Sequence, residues 1–312
     1  MAIVANTFTT YAAIGQREDL SDVIDLISPT DTPILSALRK SKASGRFFEW
    51  QTDALAAAAN NAQLEGDDTA FTAITPTVRW GNYCQIGSKS FVISATEEVV
   101  DKAGRKSEVA YQTMNKLKEL KRDKEYALIR NGTLNTGNTT TARQTRGLAG
   151  WITQGSVGAG VGAFPVPSTN TAAVAGTPRA LTETLVLSAM QAAYTAGGQP
   201  TLLSVRPADK VIVSGFSGNN TVLRREDADS NKLHQSFDFY VTDFGTLKVV
   251  PNRFQDAAAY LLDLEHVSLK TLRAASRETL AKTGDAIKVL VVEEWGLQMD
   301  NNMAHAQIRD LS

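Results

Sequence analysis

One cysteine and three histidines in 312 residues leave little material for redox, metal or nucleophilic chemistry. A lone Cys84 excludes an intrachain disulfide and a cysteine metal cluster. Its ordinary role is that of a small buried hydrophobe. A thiol nucleophile would need an imidazole base, and His234, His266 and His305 all lie far from it in sequence. No apolar run approaches the roughly 18 residues that a membrane span requires. The opening MAIVANTFTT lacks the basic region and apolar core of a secretory signal, so synthesis and folding in a cytoplasm are expected. Neither sign of charge dominates: 32 basic against 33 acidic side chains give a net charge of −1. The chain as a whole is therefore no electrostatic trap for nucleic acid, and any such contact must be local. There is no Gly-x-Ser-x-Gly elbow, no His-Glu-x-x-His pair and no Gly-Lys-Ser/Thr phosphate loop.

The chemical candidates that are present are weak. Glu65, Asp67 and Asp68 in LEGDD could hold a hard cation, but they lack EF-hand spacing and read better as a solvated acidic loop. Glu293 and Glu294 are neighbours in a strand-like run, where side chains alternate between faces, so they do not converge for acid–base work. GAGVGAF, with Gly158, Gly160 and Gly162, has no helix after it and reads as a bendable loop. No convergent acid, base and oxyanion set emerges, no cofactor is implied, and a catalytic site is not expected.

What the chain does contain is a distinctive order of elements. REDLSDVIDLI is an amphipathic helix ending before Pro29. DTPILSALRK restarts as a helix, with Asp31 or Thr32 as N-cap and Pro33 in the first turn. RFFEWQTD and PTVRWGNYCQIG read as two strands of a long hairpin. Val78, Trp80, Asn82, Cys84 and Ile86 fall on one face of the second strand. The connection between the two strands, ALAAAANNAQLEGDDTAFTAIT, is long, small and polar, which suits a flexible tip. SATEEVVDKAG is a short helix with a Ser94–Glu97 capping box and Gly104 at its C′ position.

Residues 107–131 then form one long helix, without glycine or proline, carrying six basic and four acidic side chains. Lys121–Glu125 and Glu119–Arg122 are spaced to pair along it. After a Thr/Asn-rich linker, RGLAGWI is an apolar anchor, and residues 153–180 read as loop with short strand. LTETLVLSAMQAAYTAGG is a helix; PTLLSVRPADKVIVSGF is a strand followed by a helix with Pro207 in its first turn. TVLRREDADSNKL is charged and exposed. SFDFYVTDFGTLKVVPN is a hairpin turning at Asp243, Phe244 and Gly245. AAYLLDL, HVSLKTLR, AIKVLVVEEWGLQMD and AHAQIRDL complete the strands, with AASRETLAKTGD as a separator before AIKV. No repeat of fixed period is present.

This order, together with FFEWQTDALA, EGDD, KELKRDKEYALIRNG, ARQTRGLAGWI, TDFGTLKVVPNRF and LAKTGDAIKVLVVEEWGLQ, resembles the major capsid proteins of tailed bacteriophages. The resemblance runs from about residue 20 to the end; residues 153–180 match poorly. It implies an α+β Hong Kong 97-like fold. Residues 1–45 would be an N-terminal arm and 46–93 an extended β-hairpin, the E-loop. Residues 94–146 would be a P-domain built on a spine helix over 107–131. Residues 147–255 would be an α/β A-domain, and 256–312 a strand-rich return completing both. It further implies a shell of hexamers and pentamers around double-stranded DNA, in the virion, assembled in the host cytoplasm without cofactor or membrane. Expected partners are further copies of the chain, a portal, separate scaffold or decoration proteins, and the packaged DNA through non-specific contact. An encapsulin-like compartment is the alternative on the same fold; a soluble carboxylate or metal enzyme is the remote one. Trp50, Glu49, Arg79 and Trp80 on the hairpin are the candidate inter-subunit contacts, with Glu49 and Arg79 placed to pair across the strands.

Overall fold

Three sheets and one long helix organise the computed structural model, which describes residues 28–63, 65, 66, 68, 71, 73–102, 104–216 and 239–312. The helix expected in REDLSDVIDLI and the segment TVLRREDADSNKL lie outside the described residues. Among the described residues no helix is long and apolar enough to cross a membrane.

The long helix, α3 (Glu108–Arg130), starts where the sequence says it should. Ser107 accepts the Ala110 N–H as N-cap. Glu98, from the short helix α2 (Ala95–Val99), accepts the next orphan donors, the N–H groups of Glu108 and Val109, at 3.0 and 3.1 Å. Ser94 caps α2, but α2 ends at Val99; Gly104, with φ 75°, belongs to the turn leading to α3 rather than to a helix C-terminus.

The charged middle of α3 lies over a charged sheet. Leu120 rests on Gly87 of strand β4 (Gln85–Ser94), the one place in that stretch where the helix is buried. Lys89 of β4 reaches Asp123 at 2.6 Å and Glu119 at 4.0 Å, and Lys124 pairs with Glu293 beneath it. The expected Lys121–Glu125 and Glu119–Arg122 pairs do not form. Glu119 turns to Lys116 and Lys89, and Glu125 turns inward, away from solvent. Apolar packing fastens the two ends. Val109 joins Ile93 and Val289, and Ala127, Leu128 and Ile129 enter the main core.

The sheet under α3 has the order β1-β10-β11-β4, with β1 (Arg39–Lys42), β10 (Val267–Thr279) and β11 (Ala286–Met299). The parallel pair β1–β10 shortens the expected second arm helix. Helix α1 covers only Pro33–Ala37, because Arg39–Lys42 are taken into the sheet edge. β10 runs through the presumed separator AASRET; shifts of register between Thr271 and Ser276 absorb the extra residues, so the ladder with β11 resumes beyond them. β4 alternates strictly. Gln85, Gly87, Lys89, Phe91 and Ile93 face α3, while Ile86, Ser88, Ser90 and Val92 are exposed on the other side.

The second sheet has the order β5-β12-β9-β6-β8-β7. Its strands are β5 (Gly155–Ser156), β6 (Leu202–Val205), β7 (Phe239–Thr242), β8 (Gly245–Pro251), β9 (Ala258–Leu262) and β12 (Ala306–Arg309). Both faces of its centre are covered, which is why β9 and β6 read as unbroken apolar runs. Helices α5 (Glu183–Thr195) and α6 (Pro207–Ser214) pack Val186, Met190 and Val213 onto Leu203, Val205 and Leu261. On the other face, Leu202, Tyr260 and Leu262 meet α4 (Leu148–Trp151), the end of α3, α1 and the first sheet in one continuous core.

The third sheet is the hairpin of β2 (Phe47–Thr52) and β3 (Val78–Tyr83). The presumed second hairpin strand is two strands. At Cys84 the chain leaves β3, and β4 enters the α3 sheet against β11, so Ile86 shares no strand with Val78 and Trp80.

Candidate assembly surfaces

The hairpin is held at its base by aromatic packing inside the chain. Trp50 and Trp80 lie directly opposite each other, and their rings meet Trp151 of α4 at centroid distances of 5.2 and 5.9 Å. The guanidinium of Arg146 sits over the Trp151 ring at 4.5 Å. Arg146 is buried and has no carboxylate partner among the described residues; it donates to the Asn170 side-chain oxygen at 2.9 Å. Burial lowers its pKa to about 10, so it stays charged, held by the ring face and one amide. Buried Asn82 ties the same region together, exchanging hydrogen bonds with the Arg146 backbone and donating to the Leu297 carbonyl at 2.7 Å. Phe48 needs Gly296 beneath it: a Cβ there would sit 2.7 Å from the Phe48 ring.

Beyond the base the hairpin packs on no other element among the described residues. Glu49 and Arg79 pair diagonally at 3.0 Å on its exposed surface. From Asp53 to Thr77 no strand forms among the described residues, and Leu55, Phe71 and Ile74 are 98%, 95% and 95% exposed. Over the same stretch the sequence carries Asp53, Glu65, Asp67 and Asp68 and no lysine or arginine. Large apolar side chains on an extended acidic arm, clear of the core, constitute a surface suited to another protein. Trp50 and Trp80 anchor the arm; the tip residues are the ones left open.

Sequence reasoning missed the buried tie between arm and helix. Glu125 is fully buried on α3. Its Oε1 accepts the N–H of Ile34 at 3.0 Å and the side chain of Asn252 at 2.6 Å; its Oε2 accepts the N–H of Leu35 at 2.7 Å. Thr32 makes no side-chain cap, so the carboxylate from α3 caps α1 in its place. Burial raises the Glu125 pKa, against the lowering effect of those three donors. The available signal was a glutamate at the point where the charged middle of the helix gives way to its apolar end, Tyr126 to Ile129.

The chemical candidates are scattered or already satisfied. Glu293 and Glu294 face opposite sides of β11: one binds Lys124, the other Arg143 and Arg273. Cys84 is buried against the Gly45 carbonyl, and burial pushes its thiol up to about 11. His305 is buried, accepting the Asp263 N–H. Glu65 and Asp68 are described, whereas Asp67 and His234 lie outside the described residues. No group of three His, Cys, Asp or Glu side chains suited to a metal occurs among the described residues.

A family model described as the SU10 major capsid protein matches residues 3–312. The major capsid protein of Escherichia phage Phieco32 is 28% identical over 333 residues, covering 95% of each chain. Among solved structures, a chain of the cyanophage A-1(L) capsid asymmetric unit superposes with a TM-score of 0.63 at 15% identity, over 97% of this chain and 98% of that one. The capsid of the native GTA particle gives 0.63 at 11% identity, over 97% of each chain. Gordonia phage Cozz gives 0.62 at 10%, over 99% of this chain and 97% of that one. At these identities the structures speak to the fold alone: a mixed helix–sheet fold shared with phage capsids.

Proposed function

The chain belongs to the SU10 major capsid protein family, and from that premise we propose how it builds a phage head. It is a major capsid protein, a structural protein whose work is assembly into the capsid. The observation that carries this is the family match over nearly the entire chain, joined by the Phieco32 relative at 95% coverage. The relative is a phage capsid protein, which favours a phage head over an encapsulin-like compartment. The family is one of structural proteins, and an enzymatic role has no convergent site to support it.

In the finer reading the fold is Hong Kong 97-like. Residues 1–45 serve as arm, 46–93 as E-loop, 94–146 as P-domain, 147–255 as A-domain, and 256–312 complete both. Copies assemble into hexamers and pentamers of an icosahedral shell around double-stranded DNA, with a portal and separate scaffold or decoration proteins as partners, in the host cytoplasm. The hairpin is the reaching element. Its base is fixed by Trp50 and Trp80, its shaft carries Glu49–Arg79, and its apolar tip lies on a neighbouring copy. Burying Leu55, Phe71 and Ile74 there would contribute about 1.5–3 kcal/mol each. Electron microscopy of the purified protein at high concentration tests the reading. Closed shells, tubes or capsomer-sized rings are expected; monomers alone, with portal and scaffold supplied, would overturn it.

A further inference from the structure

We propose that the outer edge of β4 is completed by a strand from residues 3–10 of the same polypeptide. The sheet under α3 ends at β4, and its ladder fixes which backbone groups stay open. The Ala95 N–H donates to the Asp285 carbonyl at 3.2 Å, and the Lys288 carbonyl accepts the Leu280 N–H on the β10 side. The odd residues of β4 therefore bond β11, and Ile86, Ser88, Ser90 and Val92 turn their N–H and C=O groups outward. Among the described residues these groups have no partner, and all four residues are exposed.

An open edge of this kind is a template for another strand, and folded chains guard it. The opposite edge of the same sheet, β1, carries Arg39, Lys40 and Lys42. Where β10 runs past β1, it carries Arg273, Arg277 and two shifts of register. The second sheet ends in strands of only two and four residues. β4 has none of these devices. It is ten residues long and pairs with β11 without a shift. Its one charge, Lys89, is turned to α3 and held by Asp123.

Beside the second half of β4 lies a groove of about 550 Å³, walled by residues 90–94 and by Glu97, Arg105, Glu108, Gln112 and Lys116. Its charges are satisfied locally: Arg105 pairs with Glu108, Lys116 with Glu119, and Lys102 with Glu97. A neutral groove along an open edge suits an uncharged, extended segment. Residues 2–16 carry no charged side chain, and six of the eight residues in IVANTFTT, 3–10, are β-branched or aromatic. The segment also reaches. α1 is capped by Glu125 near the end of α3, and Asn131, just beyond that end, holds Gln85 at the start of β4. With REDLSDVIDLI helical, the 22 residues between Thr10 and Pro33 still span about 50 Å, against about 35 Å for all of α3. The rival occupant, the hairpin tip of a second copy, would bring Glu65, Asp67 and Asp68 to a wall whose cations are already paired.

The test is amide hydrogen exchange on the unassembled full-length subunit, at concentrations where it is monomeric. Ser88, Ser90 and Val92 should exchange at least about tenfold more slowly than the open stretch 54–63. The variant Asn6→Pro/Thr7→Pro removes one N–H from each side of the segment. In it that protection should be lost, while the α5 amides exchange as before. Free exchange at Ser88, Ser90 and Val92 in the unaltered chain overturns the proposal, and so does protection that survives the two prolines. Protection that appears only as concentration rises would give the edge to a second copy and likewise overturn it. The measurement precedes assembly, so a failure to form shells, which counts against the capsid reading, leaves this result untouched.

Discussion

Replacing Glu125 with alanine tests whether the arm is held by one buried carboxylate. The substitution removes the acceptor for the Ile34 and Leu35 N–H groups and for the Asn252 amide, all at a site closed to water. Each orphaned buried donor costs about 1–3 kcal/mol, offset in part by relief of the buried charge, so a net loss of about 3–5 kcal/mol is expected. At about 2 °C per kcal/mol for a chain of this size, the melting temperature should fall by roughly 5–10 °C. The decisive assay is hydrogen exchange. The amides of Ile34 and Leu35 should lose protection by a larger factor than those of α5, because α5 shares no hydrogen bond with the junction. Glu125→Gln should be milder at the Oε1 side yet still set an amide donor against one of the two backbone donors. If Ile34 and Leu35 keep their protection in the alanine variant, or the melting temperature moves by less than a degree, Glu125 is not the cap of α1 and the argument fails.

Other outcomes follow from the same geometry. Trp80→Ala removes the edge contact to Trp151 and the bond from its indole N–H to Thr52; shell yield in electron micrographs should fall while far-UV dichroism hardly changes, and an undiminished yield would refute its anchoring role. Swapping charges at Glu49 and Arg79 one at a time should cost no more than about 1 kcal/mol, since both side chains are well exposed; the double swap should restore assembly, and failure to do so removes the pair from the account. Limited proteolysis of free subunits should cut first within residues 54–75, and protection there would contradict an unpartnered tip. Burial lowers the His305 pKa from 6.5 to about 4, so the unfolded chain takes up a proton that the folded one refuses; this group should withdraw up to about 3 kcal/mol of stability as pH falls from 6.5 to 4. Unfolding curves of His305→Asn that keep the full slope in that window would assign the effect elsewhere.

The parts of this fold readable in the sequence were those set locally. Ser94, Ser107 and Thr182 announced their helices because a cap is a contact between near neighbours in the chain. The β7–β8 turn did so through Gly245, whose φ of 143° is poorly tolerated by other residues. The errors occurred where distant pairing decided. Arg39–Lys42 continue the helical pattern of PILSA and become a strand only because β10 offers an edge. Cys84 divides two strands with no turn residue to mark it, since the chain changes sheet without reversing. AASRET looks like a connector, yet pairs with β11 after a shift of register. Of the candidate contacts, Glu49 and Arg79 were placed by strand alternation alone. The Glu125 tie spans about ninety residues of sequence, and local spacing had assigned that carboxylate to Lys121.

The sheet beneath the long helix also sets a timetable. Its central strands, β10 and β11, are made about 140 residues after α3, a delay of roughly 7–30 s at ordinary rates of synthesis. Until then Lys89 and Lys124 have only part of their surroundings, Phe48 has no Gly296 to rest on, and the hairpin cannot take up its final angle. A nascent chain therefore cannot present a finished docking surface to a neighbour emerging from the same message. The wall is complete, and fit to meet a neighbour, only when its last-made strands are in place.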